Sequence, residues 1–177
     1  MQNEESLVLR AQKRDPEAFT KLYEEHFDKV YRYVVLRIGN KTEAEDITQQ
    51  VFVNAFQSIS SYKWRGTPFA AWLFRIARNQ VIDRLRKMTK EARSPIGELS
   101  SSANTDPELL AEQKFDIEQL TAATKRLTQA QQEVISLRFA GGLSTAEVAK
   151  AMGKSRGAVK ALQHSALVAL RKMIPQE

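Results

Sequence analysis

Two groups of residues in this sequence have the types and spacing to hold a polyanion. The first lies in LSTAEVAKAMGKSRGAVKALQ, Leu143 to Gln163. With Val159 and Leu162 turned inward on a helix, the helical repeat turns Arg156, Lys160, Ala161 and His164 outward. Such a face suits phosphate oxygens and the base edges of a DNA major groove. Arg171 and Lys172 continue the basic character toward the C-terminus. The second group is Tyr62, Lys63, Trp64 and Arg65, aromatic rings interleaved with cations beside Gly66. Single-stranded bases stack on that combination. Each group also has a plainer reading: exposed arginines and lysines are commonly just solvated, and Trp64 serves equally well as a lid on the core or as a base contact.

Other chemistry is poorly represented. The chain has no cysteine, which excludes disulfides, thiolate metal sites and cysteine nucleophiles. Its two histidines, His26 and His164, lack any partner pattern for metal or catalysis; His26 falls on an apolar helix face and is expected as a hydrogen-bonded core residue. With no glycine-rich phosphate loop and no nucleophile and base set, no enzyme, cofactor or metal is expected. A net charge of +6 favours a polyanionic partner, nucleic acid or an anionic membrane surface. No apolar run approaches the roughly 18 residues of a membrane span, so a cytoplasmic location is expected.

The elements that must position these residues are all helices. Asp15 and Pro16 form an N-cap and first helical residue, and apolar residues recur from Phe19 through Ile38 until Gly39 and Asn40. Thr42 with Glu45 reads as a capping box for a second helix, apolar on Ala44, Ile47, Val51, Phe52, Ala55, Phe56 and Ile59 and polar on its other side. After the loop SSYKWRGTP, Thr67 and Pro68 restart a helix with Phe69, Trp72, Leu73, Ile76, Ala77, Val81, Leu85 and Met88 on one side; Arg75, Arg78, Asn79, Asp83, Arg86 and Lys87 fall largely on the other. Three such helices can enclose one core.

The segment from Thr89 to about Asp106 is polar, with too few large apolar residues to offset the entropy of ordering it. It reads as an interdomain linker. Beyond it, Thr128 with Gln131 forms a capping box for a helix carrying Val134, Ile135, Leu137 and Phe139 and ending at Gly141 and Gly142. Ser144 with Glu147 forms another, Gly153 permits a turn of positive φ, and Ser155 caps a last helix ending before Pro175. Ala149, Gly153 and Val159 stand where a helix-turn-helix needs a small residue, a turn glycine and an inward apolar residue. The expected fold is all-α: two small helical domains joined by a flexible linker, over 1–90, 91–111 and 112–177. Similar helix pairs also occur in bundles that bind nothing.

DPEAFTKLYEEHFDKVYRYV, AEDITQQVFVNAF, FAAWLFRIARNQVIDRLRK and the second-half stretch from LTQAQQEV to ALRK resemble bacterial sigma factors of the compact extracytoplasmic-function (group 4) type, which retain only the sigma-two and sigma-four domains. The resemblance implies that AEDITQQVFVNAF docks on the β and β′ subunits of core RNA polymerase, through Asp46, Gln49, Gln50, Val53 and Asn54. Gln50 stands where relatives usually carry an acid, which replaces an ion pair with a neutral hydrogen bond. It implies a minus-ten reader made of Tyr62, Lys63, Trp64 and Arg65 in the loop and Arg75, Asn79, Asp83 and Arg86 on the following helix, capturing an unstacked base and holding the melted strand. It implies minus-thirty-five contacts from Ser155, Arg156, Lys160 and His164. Arginines that relatives commonly carry near Leu162, Ser165 and Leu167 are missing, which predicts weaker duplex binding without polymerase. The linker acids Glu98, Asp106 and Glu108 either mimic nucleic acid in the polymerase cleft or simply solvate a tether.

The partners so implied are core RNA polymerase, promoter DNA and an anti-sigma factor, with no small-molecule substrate. Two other classes fit parts of the sequence. A conventional helix-turn-helix regulator would bind duplex DNA without polymerase and have no use for the polar face at Asp46. A helical adaptor would show no steep salt dependence with any nucleic acid.

Overall fold

The computed structural model describes residues 3–64, 67–93 and 119–173. The helices are α1 (Glu4–Gln12), α2 (Pro16–Ile38), α3 (Lys41–Ser58) with a 3-10 turn at Ile59–Ser61, α4 (Phe69–Arg93), α5 (119–124), α6 (Gln129–Ile135) running into a π turn at Ser136–Ala140, α7 (Thr145–Met152) and α8 (Arg156–Met173). No strand occurs among the described residues.

Most boundaries follow from their caps. The Asp15 side chain accepts the Glu17 N–H at 3.1 Å and Pro16 opens α2, as predicted. The Arg10 guanidinium lies 2.7 Å from the same carboxylate and holds its pKa below the usual value. Gly39 ends α2 at φ 79°, its N–H on the Val35 carbonyl. The start of α3 differs from expectation. Asn40, not Thr42, is its N-cap, accepting the Glu43 N–H at 3.0 Å. The left-handed turn at Gly39 redirects the chain at once, so Asn40 is already extended and the helix begins two residues early.

An additional helix precedes those expected. α1 is capped by Asn3 and buries Leu7, Val8 and Ala11. Leu7, Val8, Leu9 and Ala11 give only a faint helical period in an otherwise polar stretch, and Leu9 is exposed. The helix closes the end of the first core, and Glu4 Oε1 lies 2.9 Å from His26 Nε2, which supplies the partner expected for a core histidine.

The main core contains Leu22, Tyr33, Phe69, Leu73 and Phe74, and it does not stop at the first domain. Val134, Leu137, Leu143, Val148 and Val159 belong to the same continuous cluster. The second half is therefore docked on the first: α7 lies against α4, and the π turn lies against α2. A smaller cluster of Leu127, Ile135 and Ala166, flanked by Leu170 and Met173, ties α6 to α8. Burying one such aliphatic or aromatic side chain contributes about 1.5–3 kcal/mol, so the shared apolar surface is a substantial part of the domain contact.

Phe139 was expected beside Val134, Ile135 and Leu137, yet those three are buried and Phe139 is 56% exposed. The π turn adds a residue to the helical repeat and rotates Phe139 outward, where the Arg138 guanidinium sits 5.8 Å from its ring. Residues 91–93, expected to begin the linker, are the last of α4. Glu98, Asp106 and Glu108 lie outside the described residues, as does Arg65.

Candidate nucleic-acid and polymerase interface

The recognition pair is built by short-range chemistry. Ser144 Oγ accepts the Glu147 N–H while Glu147 returns a bond to the Ser144 N–H, each at 3.1 Å. Gly153 adopts φ 66° and turns the chain into α8, with its N–H on the Ala149 carbonyl. Ala149, Val148 and Val159 are buried where the helices meet. Arg156, Lys160 and His164 are all exposed on the opposite side of α8. Ser155 is exposed too, but its hydroxyl accepts the Ala158 N–H at 3.1 Å, a cap that a DNA contact would have to share.

The aromatic loop divides its two rings between two tasks. Tyr62 is buried, packs against Phe69 and Trp72, and donates its hydroxyl to the Thr67 carbonyl across the loop. Burial, followed by the nearby Glu4 charge, pushes its phenol up to about 12. Gln12 of α1 donates to the carbonyls of Ile59 and Tyr62 at 3.1 and 2.7 Å, so the helix that the sequence reading missed also fixes the loop. Trp64 is 41% exposed and stands edge-on to Tyr62, ring centroids 6.0 Å apart. Lys63 beside it is exposed. Trp64 thus offers a ring to solvent on a rigid tyrosine support.

On α4, Arg75, Asn79, Asp83 and Arg86 are exposed. Asn79 and Asp83 line a groove of about 520 Å³ between α3 and α4, which Asn54 also lines. Arg84 spans from α4 to Glu43 of α3 at 2.6 Å, fixing the groove's width; the Glu43 carboxylate raises the guanidinium pKa further. Arg75 is not free: its Nη2 donates to the Lys150 carbonyl of α7 at 2.6 Å. Arg75 and Arg156 line one cleft of about 460 Å³, so the structure brings together residues assigned to two different DNA elements.

On α3, Asp46, Gln49, Gln50 and Val53 are exposed and Asn54 is half-buried. Gln50 donates to Asn54 at 2.9 Å and Gln49 to the Tyr23 hydroxyl at 3.2 Å, so the neutral residue at 50 is satisfied within its own helix. Val53 is 47% exposed and Phe56 39%, which makes this face mixed rather than simply polar. Phe56 was expected inside. It meets the Phe19 ring at 5.0 Å and lies under the Arg14 guanidinium, which leave the ring partly open to solvent. Its place at the rim of the apolar stripe, four residues after Phe52, was the signal for partial exposure.

Unforeseen in the sequence is a buried polar group between the domains. Glu133 of α6 accepts a hydrogen bond of 2.5 Å from the Tyr33 hydroxyl and pairs with Arg37 at 3.2 Å. Arg37 also donates to Gln132 and Gln129 at 2.7 and 3.3 Å. Burial, then the Glu133 charge and hydrogen bond, raises the Tyr33 pKa well above its ordinary value.

These features agree with known proteins. Residues 22–91 match the family description Sigma-70 region 2, and residues 123–172 match Sigma-70, region 4. The chain is 38% identical over 173 residues to the ECF RNA polymerase sigma factor BldN of Streptomyces coelicolor, covering 97% of this chain and 66% of BldN. It is 31% identical over 176 residues to SigD of Mycobacterium tuberculosis, covering 96% of this chain and 83% of SigD. It is 31% identical over 162 residues to SigX of Bacillus subtilis, covering 88% of this chain and 83% of SigX. In fold it resembles CnrH in its complex with the cytosolic domain of CnrY, with a TM-score of 0.72 and 22% identity over 94% of each chain. It likewise resembles the sigma factor RpoE in complex with the anti-sigma factor NepR from Bartonella quintana, with a TM-score of 0.70 and 24% identity over 87% of this chain and 94% of the other. A region 2 bundle, a region 4 helix-turn-helix and relatives aligned along most of their length place the chain in the sigma-70 family, among the ECF RNA polymerase sigma factors.

Proposed function

We propose that the chain binds core RNA polymerase, directs it to a two-part promoter and stabilises strand opening. The observation that carries this reading is the α3 face: Asp46, Gln49, Gln50 and Val53 lie exposed on a well-packed helix whose other side is core. A regulator acting alone on duplex DNA has no use for that surface. In this reading Asn54 and the partly exposed ring of Phe56 extend the polymerase contact. Trp64 stacks on an unpaired base, with Lys63 and Arg65 on the flanking phosphates. Tyr62 supports Trp64 from beneath. Arg75, Asn79, Asp83 and Arg86 follow the melted strand, and Ser155, Arg156, Lys160 and His164 contact the upstream duplex.

Catalysis belongs to polymerase, and the chain itself carries out no reaction. No described helix is long and apolar enough to cross a membrane, and we assign the protein to the cytoplasm, where its partners are. The complexes of CnrH with CnrY and of RpoE with NepR support an anti-sigma partner for this chain as well. A pulldown from native cells that recovers polymerase alone would count against such a partner.

Run-off transcription with purified core polymerase on a promoter library tests the central reading, with Arg156→Ala and Asn79→Ala alongside the parent chain. The parent is expected to produce promoter-specific transcripts, and each variant to lose them while still binding core polymerase. Unchanged promoter choice in both variants would refute the assigned contacts. Failure of the parent to bind polymerase would refute the function.

A further inference from the structure

Glu133 sits in a pocket better suited to a larger anion than to itself. Three groups of the first domain converge on its carboxylate: the Tyr33 hydroxyl at 2.5 Å, Arg37 Nη2 at 3.2 Å and Arg78 Nε at 3.6 Å. The Arg37 and Glu133 side chains are 3% and 4% exposed. Charges so deeply withdrawn from water need more hydrogen-bonding partners than a surface pair does. Here the donors outnumber the acceptors. Arg37 Nε and Arg78 Nε are buried and have no hydrogen-bond partner. A carboxylate offers two oxygens in a plane, whereas a phosphodiester offers a tetrahedral set that a ring of arginines and a hydroxyl can surround.

The surroundings point the same way. A crevice of about 440 Å³ opens beside this group, and its lining holds Arg37, Arg78, Arg86 and Lys154, with Glu133 as its sole acid among the described residues. Arg78 and Arg86 both lie on α4, the helix assigned to the melted strand, and both line this crevice. The occupying carboxylate arrives from the other domain, on α6. When the domains separate, Glu133 leaves, while Tyr33, Arg37 and Arg78 stay together on packed helices of the first domain.

We infer that Tyr33, Arg37 and Arg78 form a binding site for a promoter DNA phosphate, and that the Glu133 carboxylate occupies it while the domains are docked. The inference rests on the proposed sigma function. Glu133 then does two things at once: it holds α6 against α2, and it keeps DNA off the first domain until docking is released. DNA and the second domain compete for one site, and any partner that separates the domains raises DNA affinity.

The test uses the full chain without polymerase, fluorescein-labelled promoter DNA in single-stranded and duplex arms, anisotropy over a range of salt, and small-angle scattering for domain separation. Glu133→Gln is expected to expand the scattering envelope and tighten DNA binding on the order of tenfold, within the usual range for coupled sites. The salt slope should steepen by about 0.7 for one added single-strand phosphate or about 0.9 for a duplex one, and the arm that steepens identifies the strand state. Adding Arg78→Ala to Glu133→Gln is expected to return affinity and slope to the parent values while the envelope stays expanded. The Arg78 side chain is 27% exposed against 3% for Arg37, so its removal is expected to disturb the packed core less than Arg37→Gln. Three results overturn the proposal: Glu133→Gln stays compact, it opens with no gain in affinity, or the gain survives Arg78→Ala. The same preparations are run in the polymerase assay. Promoter-specific transcripts without a Glu133→Gln gain sink the phosphate site alone, whereas no transcript from the parent sinks the sigma reading.

Discussion

At the scale of single residues, the aromatic loop shows how burial separates neighbours of similar composition. Trp64 presents an open ring, so Trp64→Ala is expected to leave the melting temperature nearly unchanged and to weaken capture of a single-stranded minus-ten oligonucleotide by polymerase holoenzyme. The loss should be about 1–3 kcal/mol, the value of one stacked base, read as a shift in Kd. Tyr62 behaves differently because its neutral phenol is what fits the fold. Its pKa is raised from 10.0 to about 12, so its contribution is complete below pH 10 and is lost as pH rises through 12. Chemical denaturation across this window should show the parent losing stability more steeply than Tyr62→Phe, the difference being confined to alkaline pH. Equal slopes would mean that the phenol is not confined as the structure shows.

At the scale of elements, α3 keeps its core side apart from the side proposed to meet polymerase. Its inner face, Ala44, Thr48, Val51, Phe52 and Ala55, is buried, and Thr48 Oγ1 returns a bond to the Ala44 carbonyl at 2.7 Å. Val53 lies outside that packing. Val53→Asp should therefore stay within about 0.5 kcal/mol of the parent in thermal stability, as surface changes usually do. Under the proposed function it should weaken binding to core polymerase at least tenfold, measured by titration of labelled chain. A large loss of stability would show that Val53 is part of the core. Much of this was readable beforehand: the polar side of α3, the capping boxes at Thr128 and Ser144 and the glycine turn at Gly153 all depend on residues within one helical turn of each other. Phe56 was misplaced because the edge of an apolar stripe is covered or left open by neighbouring elements, and Phe139 because the π turn breaks the repeat that its spacing assumed.

At the scale of the whole molecule, the two halves share one continuous apolar core. Gly141 lies close against the first half: a Cβ there would lie 2.8 Å from Phe74 Cε1 of α4, and 2.9 Å from the Leu137 carbonyl of its own π turn. Phe74 is fully buried and has no room to withdraw. Gly141→Ala is expected to cost about 1–3 kcal/mol as an overpacked contact and to shift the chain toward a more expanded form in small-angle scattering. An unchanged envelope and melting temperature would show that the contact yields more readily than its packing suggests. Docking also holds Arg75 on α7, so expansion should free a residue of the proposed minus-ten surface along with the phosphate site.

The sequence alone determined the helices after α1, most of their caps, the helix-turn-helix and the outward direction of Arg156, Lys160 and His164. Those features arise from interactions within a few residues, where helical geometry and side-chain chemistry leave little choice. The tertiary structure decided that the halves share a core, that Glu133 lies buried among Tyr33, Arg37 and Arg78, and that Tyr62 supports while Trp64 protrudes. The Tyr33 to Glu133 bond joins residues 100 apart and the Arg37 to Gln132 bond residues 95 apart. At such separations chain entropy opposes contact until the apolar surfaces between them close, so local pattern carries no trace of the pairing.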